Sequence, residues 1–247
     1  MRRLRPEQDA FGRVLLEHLD GNDRAATIVE RDDGYIEWEP PAAYFSPFTN
    51  WFAVERRALR YVRGRVLDVG AGAGRVALEL QERGHTVVAV DVSPLVVRVA
   101  RRRGVRNAKV LALEDLDGSL GRFDTVVMFM NNFGLFGNEA KARRLLRRLH
   151  ALTTDDGRIV ATSSDHTRTI NPAHRAYRRR NEERGRMPGQ VRFRLRYRML
   201  STGWFDYLFV TPREMERLLR GSGWHVHRFI SNDDDNLYAA VIDKDAS

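Results

Sequence analysis

The apolar positions change their period along the chain, and each change predicts an element. Near the N-terminus Phe11, Val14, Leu15 and Leu19 give a weak helical spacing. A polar stretch follows, and "DDGYIEWEPP" closes on two prolines that break any regular element. From about Trp51 the helical period returns and stops at Gly64. Then the chain alternates. "RVLDVG", "HTVVAVDVS", "NAKVLAL", "FDTVVMFMN" and "GRIVATSS" read as five short buried strands. Between them "GRVALELQERG", "PLVVRVARRRG" and "NEAKARRLLRRLHALT" read as helices, with Gly84 and Gly104 as stops and Pro94 in a first turn. Strands separated by helices of this length imply right-handed crossovers and a parallel sheet covered on both faces. After Ser164 the alternation ends. "VRFRLRYRM" sets Val191, Phe193, Leu195, Tyr197 and Met199 on one face and four arginines on the other, a half-buried strand, with "STGWFDYLFV" as a hairpin partner. "TPREMERLLRGSG" is a helix with a Thr211/Glu214 capping box, and "WHVHRFISN" and "NLYAAVID" are closing strands.

The first strand runs into Gly70-x-Gly72-x-Gly74. A strand, a bare turn and a helix make a ligand cradle, because glycines let the backbone approach a ligand closely. Dinucleotide enzymes space such glycines G-x-G-x-x-G. The spacing here differs, and Asp68 precedes the loop, where an acid suits a cationic ligand better than a pyrophosphate. The plain alternative is a tight structural turn. Asp91, at the end of the second strand, can cap the following helix.

These residues resemble motif I of the class I S-adenosylmethionine-dependent methyltransferases. "VVAVDVSP", "LALEDLDG", "FDTVVMFMNNFGLFG", "LLRRLHALTTDDGRIVAT" and "TPREMERLLRGSGWHV" follow in family order, over roughly residues 50–165 and 205–243. The resemblance implies a Rossmann-like, doubly wound α/β fold. Its sheet is mostly parallel and seven-stranded, with helices on both faces and a basic insertion after the fifth strand. It implies one domain over 1–247: a lid or helical segment at 1–50, a cofactor-binding core at 51–165, an acceptor-side insertion at 166–205, and a C-terminal helix and strands at 206–247. The implied cofactor is S-adenosyl-L-methionine, with S-adenosyl-L-homocysteine as product. The residues implied to hold it are Asp68, Gly70, Ala71, Gly72, Gly74, Asp91, Val92, Glu114, Asp115, Met130 and Asn131. Asp91 takes the ribose hydroxyls. Glu114 or Asp115 takes the adenine amine, since Ala112 stands where the family often has an acid. "NNFG" lacks the two prolines of the base-amine methyltransferases.

Composition narrows the rest. There is no cysteine, which excludes disulfides and thiolate chemistry. No apolar run approaches a membrane span, and neither a signal peptide nor a metal-ligand cluster is legible, so the expected location is the cytoplasm. The net charge is +9, and 39 of the 42 basic residues are arginine. Residues 166–200 hold 11 arginines against Glu182 and Glu183, which accounts for the whole excess. This segment favours a small, acidic methyl acceptor; an RNA or protein substrate is the alternative. His166, just past the fifth strand, is the candidate base, against a solvent-exposed loop histidine. Tyr44, Phe45, Trp51, Tyr177, Arg196 and Tyr207 are the candidate lid and acceptor residues. The aromatic cluster at 44–52 is either a cover for the site or a packing staple.

Overall fold

The computed structural model describes residues 4–232 and 235–245. They form α1 (Ala10–Leu19), β1 (Thr27–Arg31), β2 (Ile36–Glu39), α2 (Ala53–Ala58), β3 (Arg65–Val69), α3 (Arg75–Glu82), β4 (Thr86–Asp91), α4 (Pro94–Arg102) and β5 (Ala108–Val110). Then come β6 (Phe123–Met128), α5 (Glu139–Ala151), β7 (Thr153–Ser164), α6 (Pro172–Glu183), β8 (Gln190–Tyr197), β9 (Leu200–Ser201), β10 (Phe205–Leu208), α7 (Pro212–Leu219), β11 (Trp224–Ser231) and β12 (Leu237–Lys244). The chain divides into two compact units. The first holds residues 1–51, 67–116 and 192–205; the second holds 52–66, 117–191 and 206–247.

In the first unit β4 and β5 pair in parallel, with Asp91 opposite Val110. Helix α4 starts as its sequence demands: Ser93 accepts from Val96 N–H, and Pro94 fills the first position, where no donor is needed. Helix α1 lies on α4. Leu15 and Leu16 bury against Val96, Val99 and Ala73 of the glycine loop. Asp9 fastens this contact. It is 1% exposed and accepts from Gly12 N–H at 3.1 Å, Ser93 Oγ at 2.5 Å and Leu95 N–H at 3.0 Å.

The stretch before the prolines was expected to be irregular. It forms the hairpin β1–β2, which pairs antiparallel through Thr27↔Glu39 and Glu30↔Ile36. The prolines end β2 without preventing it. The residue facing β1 on its other side is supplied 160 positions away: β8 pairs antiparallel with β1, Glu30 opposite Arg194. The alternating strand is therefore real, but it stops at Tyr197. Arg198 turns to φ 50, and Met199 is 96% exposed rather than on the apolar face.

In the second unit β6 and β7 pair in parallel, β7 and β12 antiparallel, and β12 and β11 antiparallel. Helix α5 buries Ala142, Leu145, Leu146 and Leu149, the stripe its period predicts. Helix α7 carries the Thr211/Glu214 capping box. Because β6 and β7 run in parallel, the turn after Met128 and the segment after Ser164 lie at the same end of the sheet.

Candidate functional site

In the first unit β3 delivers the chain into a turn that only glycine adopts freely. Gly70, Gly72 and Gly74 have φ of 71°, 55° and 83°. Gly70 and Ala71 both donate to the Val90 carbonyl, at 2.9 and 3.1 Å, which presses the turn against β4. Asp91 ends β4 and accepts from Ser93 N–H at 3.0 Å and Gly72 N–H at 3.3 Å. Asp91 thus orders the start of α4 and also faces the glycine loop.

Asp68 is 2% exposed, and its Oδ2 has no hydrogen-bond partner among the described residues. Loss of water pushes its carboxyl up to about 7; Arg75 opposes the shift and Asp91 adds to it. Desolvation likewise pushes Asp91 up to about 6, against the N–H donors of Ser93 and Gly72. Two water-poor acids lie beside a bare turn, and one keeps an orphaned oxygen that a cationic or hydroxyl-bearing ligand would satisfy. That is the donor set of a sulfonium-bearing nucleoside, so the residues present fit S-adenosylmethionine.

The other expected site residues of this unit separate. Val92 is half-buried next to Asp91, and its carbonyl accepts from Leu4 N–H at 3.3 Å. Glu114 is half-buried and Asp115 exposed, on a single helical turn after β5. Tyr44 borders the loop: a Cβ placed on Gly72 would meet its ring at 3.4 Å. Its hydroxyl donates to Glu39 at 2.6 Å, and Phe11 packs on its ring edge. Phe45 and Trp51 are staples. Phe45 lies under Arg103 and beside His18. Trp51 is 3% exposed, under the Arg75 guanidinium at 4.3 Å. Arg103 also donates to the Ala73 carbonyl at 2.6 Å, tying the loop to α4.

Arg196 corrects an expectation. Arg194 and Arg196 both hold Glu30, each at 2.8 Å, and Arg198 holds Glu17 at 2.9 Å. The arginine face of β8 is neither merely solvated nor free for an acceptor, because β1 and α1 bring carboxylates to it.

In the second unit the turn after β6 gathers Met130, Asn131 and Tyr207. Met130 and Asn131 are both left-handed, with φ of 55° and 63°. Met130 N–H donates to Glu55 at 2.8 Å and Asn131 N–H to Thr162 Oγ1 at 2.9 Å. The Asn131 carbonyl accepts from Tyr207 Oη at 2.7 Å, and its side-chain oxygen from Ser164 Oγ at 2.9 Å. Tyr177 is buried on α6, 4% exposed.

His166 is no exposed loop histidine, with 12% of its side chain open. Nε2 lies 2.8 Å from Glu214 Oε2, and Nδ1 is buried without a partner. Burial opposes ionisation of Glu214, but hydrogen bonds from His166 and Thr211 outweigh it and hold the carboxyl below the usual range. The pair latches the segment after β7 to the start of α7. His166→Ala is therefore expected to lower the melting temperature by several degrees, from a lost bond worth about 1–3 kcal/mol. Binding of S-adenosylhomocysteine should be unaffected; a binding loss without a thermal one would restore His166 to the site.

Asp9, Glu55 and Glu214 were not legible as site residues. Asp9 and Glu214 occupy helix-start positions, which give a capping signal and no more. Glu55 sits in an apolar helical pattern, where an acid reads as the solvated face.

Residues 66–157 match the methyltransferase domain family. Among solved structures, an S-adenosylmethionine-dependent methyltransferase from Bacteroides fragilis, in complex with S-adenosyl-L-homocysteine, superposes with a TM-score of 0.83. It is 28% identical, over 97% of this chain and 96% of that one. A Geobacillus protein named as a methyltransferase is 25% identical over 52% of this chain and 55% of its own length. The 2-heptyl-1-hydroxyquinolin-4(1H)-one methyltransferase of Mycobacteroides abscessus is 39% identical over 27% of this chain and 32% of its own. The chain thus spans about half or less of the length of these two curated relatives. Among the described residues no helix is long and apolar enough to cross a membrane. The glycine turn with its two acids, the family match across it and the near full-length structural likeness agree: residues 66–157 form a methyltransferase domain, and the chain shares the fold and cofactor class of the S-adenosylmethionine-dependent methyltransferases.

Proposed function

We propose that this enzyme transfers the methyl group of S-adenosylmethionine to a small anionic acceptor. The observation that carries the reading is the orphaned, buried Asp68 oxygen beside the positive-φ glycine turn and Asp91. In this reading Asp91 holds the ribose hydroxyls, Glu114 or Asp115 the adenine amine, and Gly70 to Gly74 give the ligand its close approach. The family resemblance adds Met130 and Asn131 as cofactor contacts. When bound, the cofactor supplies a methyl group already activated by the sulfonium, so the protein's task is alignment. An anionic acceptor brings its own lone pair and needs no base, which agrees with His166 being engaged by Glu214.

The small acceptor is supported by the M. abscessus relative, whose named acceptor is a small heterocycle. Its acidity is supported by the arginines that the strand carboxylates leave over. Among the described residues Arg178, Arg179, Arg184 and Arg186 have no carboxylate partner.

Calorimetry with S-adenosylhomocysteine and NAD, followed by labelled methyl transfer to a panel of small carboxylic acids and phenols and to bulk RNA, tests this. Binding of the homocysteine product and none of NAD is expected, and affinity should be higher at about pH 8 than at about pH 5.5. The sign follows from the two acids. Their folded values of about 7 and about 6 lie above 3.8, so the apo protein gains stability from their protons. That stability is lost as pH rises through 6–7, where a ligand that prefers the ionised acids binds with proton release. NAD binding alone would sink the family reading. Transfer to RNA alone would move the acceptor to a polymer.

A further inference from the structure

We infer that Glu55 is a positioning residue that holds the Met130–Asn131 turn in its binding shape. Two consecutive non-glycine residues with positive φ are costly, above all for Met130, because asparagine tolerates this region and methionine does not. Such backbone persists only where the surroundings over-determine it, and it collects at ligand sites. Here the surroundings are specific. The Asn131 half of the turn is held four times: by Thr162 at 2.9 Å, Ser164 at 2.9 Å, Tyr207 at 2.7 Å and Gly134 N–H at 2.8 Å. The Met130 half is held by Glu55 alone among these contacts, through Met130 N–H to Oε1 at 2.8 Å.

Glu55 lies on α2, more than 70 residues before the turn, and is 0% exposed. An acid buried that completely is expensive unless its oxygens are engaged, and here one engages the amide of the strained residue. Remove it, and Met130 N–H loses this acceptor while the residue keeps its unfavourable φ. The turn then relaxes toward a negative φ at Met130, and Asn131 loses its place.

The inference rests on the proposal that Met130 and Asn131 are cofactor contacts, and the experiment separates the two. Binding of S-adenosylhomocysteine and melting temperature are measured for wild type, Glu55→Ala, and Glu55→Ala combined with Met130→Gly. Wild type that binds no S-adenosylhomocysteine would refute the ligand reading itself. Given binding, Glu55→Ala is expected to weaken it about tenfold or more. Met130→Gly, which makes the left-handed turn free of strain, should recover most of the loss. Wild-type affinity in Glu55→Ala would overturn the inference, as would a loss that glycine does not recover while both variants melt lower. If Glu55→Ala does not fold, Glu55→Gln keeps the side chain's volume and weakens the acceptor. The Met130 amide proton should then exchange faster, with ligand binding several-fold weaker. An unchanged amide and unchanged affinity would overturn the inference there.

Discussion

Gly72→Val is expected to abolish S-adenosylhomocysteine binding while leaving a folded protein. Gly72 has φ 55°, a region that a β-branched residue scarcely enters. The chain itself leaves room for a Cβ, with Tyr44 no nearer than 3.4 Å, so packing is not what forbids the side chain. The backbone is. A valine would swing toward negative φ, taking its N–H away from Asp91 and placing a branched side chain where the ligand approaches. The control is Gly74→Val. There a Cβ would meet Val105 Cγ2 at 2.6 Å, so that variant should lose stability as well. Calorimetry and a thermal melt on both variants check this. Ligand heat retained by Gly72→Val would show that the turn is only structural.

Asp91→Ala should weaken S-adenosylhomocysteine by about 2 kcal/mol, roughly thirtyfold, through loss of a charge-assisted hydrogen bond. It also strips the acceptor from Gly72 N–H and Ser93 N–H, so part of the loss comes from a looser turn. Asp91→Asn, which keeps an acceptor oxygen, should lose less. The pH profile adds an independent readout. Asp91 helps to raise Asp68, so its removal should lower the Asp68 carboxyl from about 7 and shift the remaining pH step toward acid. Unchanged affinity and an unchanged profile would show that another acid takes the ribose.

The local signals in the chain were sufficient for much of this. The glycine turn is legible because its spacing has one physical use, bare backbone between a strand and a helix. Asp91, Ser93 and Pro94 announce a strand end and a helix start within one short stretch. Helix α5 and the α7 capping box follow from period and cap chemistry alone, since both interactions lie within one turn of helix.

What the sequence could not determine are the partners that meet only when distant segments fold together. The arginines on β8 looked unmatched because Glu30 and Glu17 lie more than 160 positions away. The hairpin β1–β2 was hidden because β1 takes its place beside β8, not from its own apolar pattern. His166 looked open because no local pattern foretells a carboxylate 48 residues later, and Glu55 drew no notice because its acceptor role exists only beside the Met130 amide. In each case the cause is the same. Periodicity and capping act within a few residues, whereas the pairing of a buried charge or a strained amide is decided by which segment the fold brings against it.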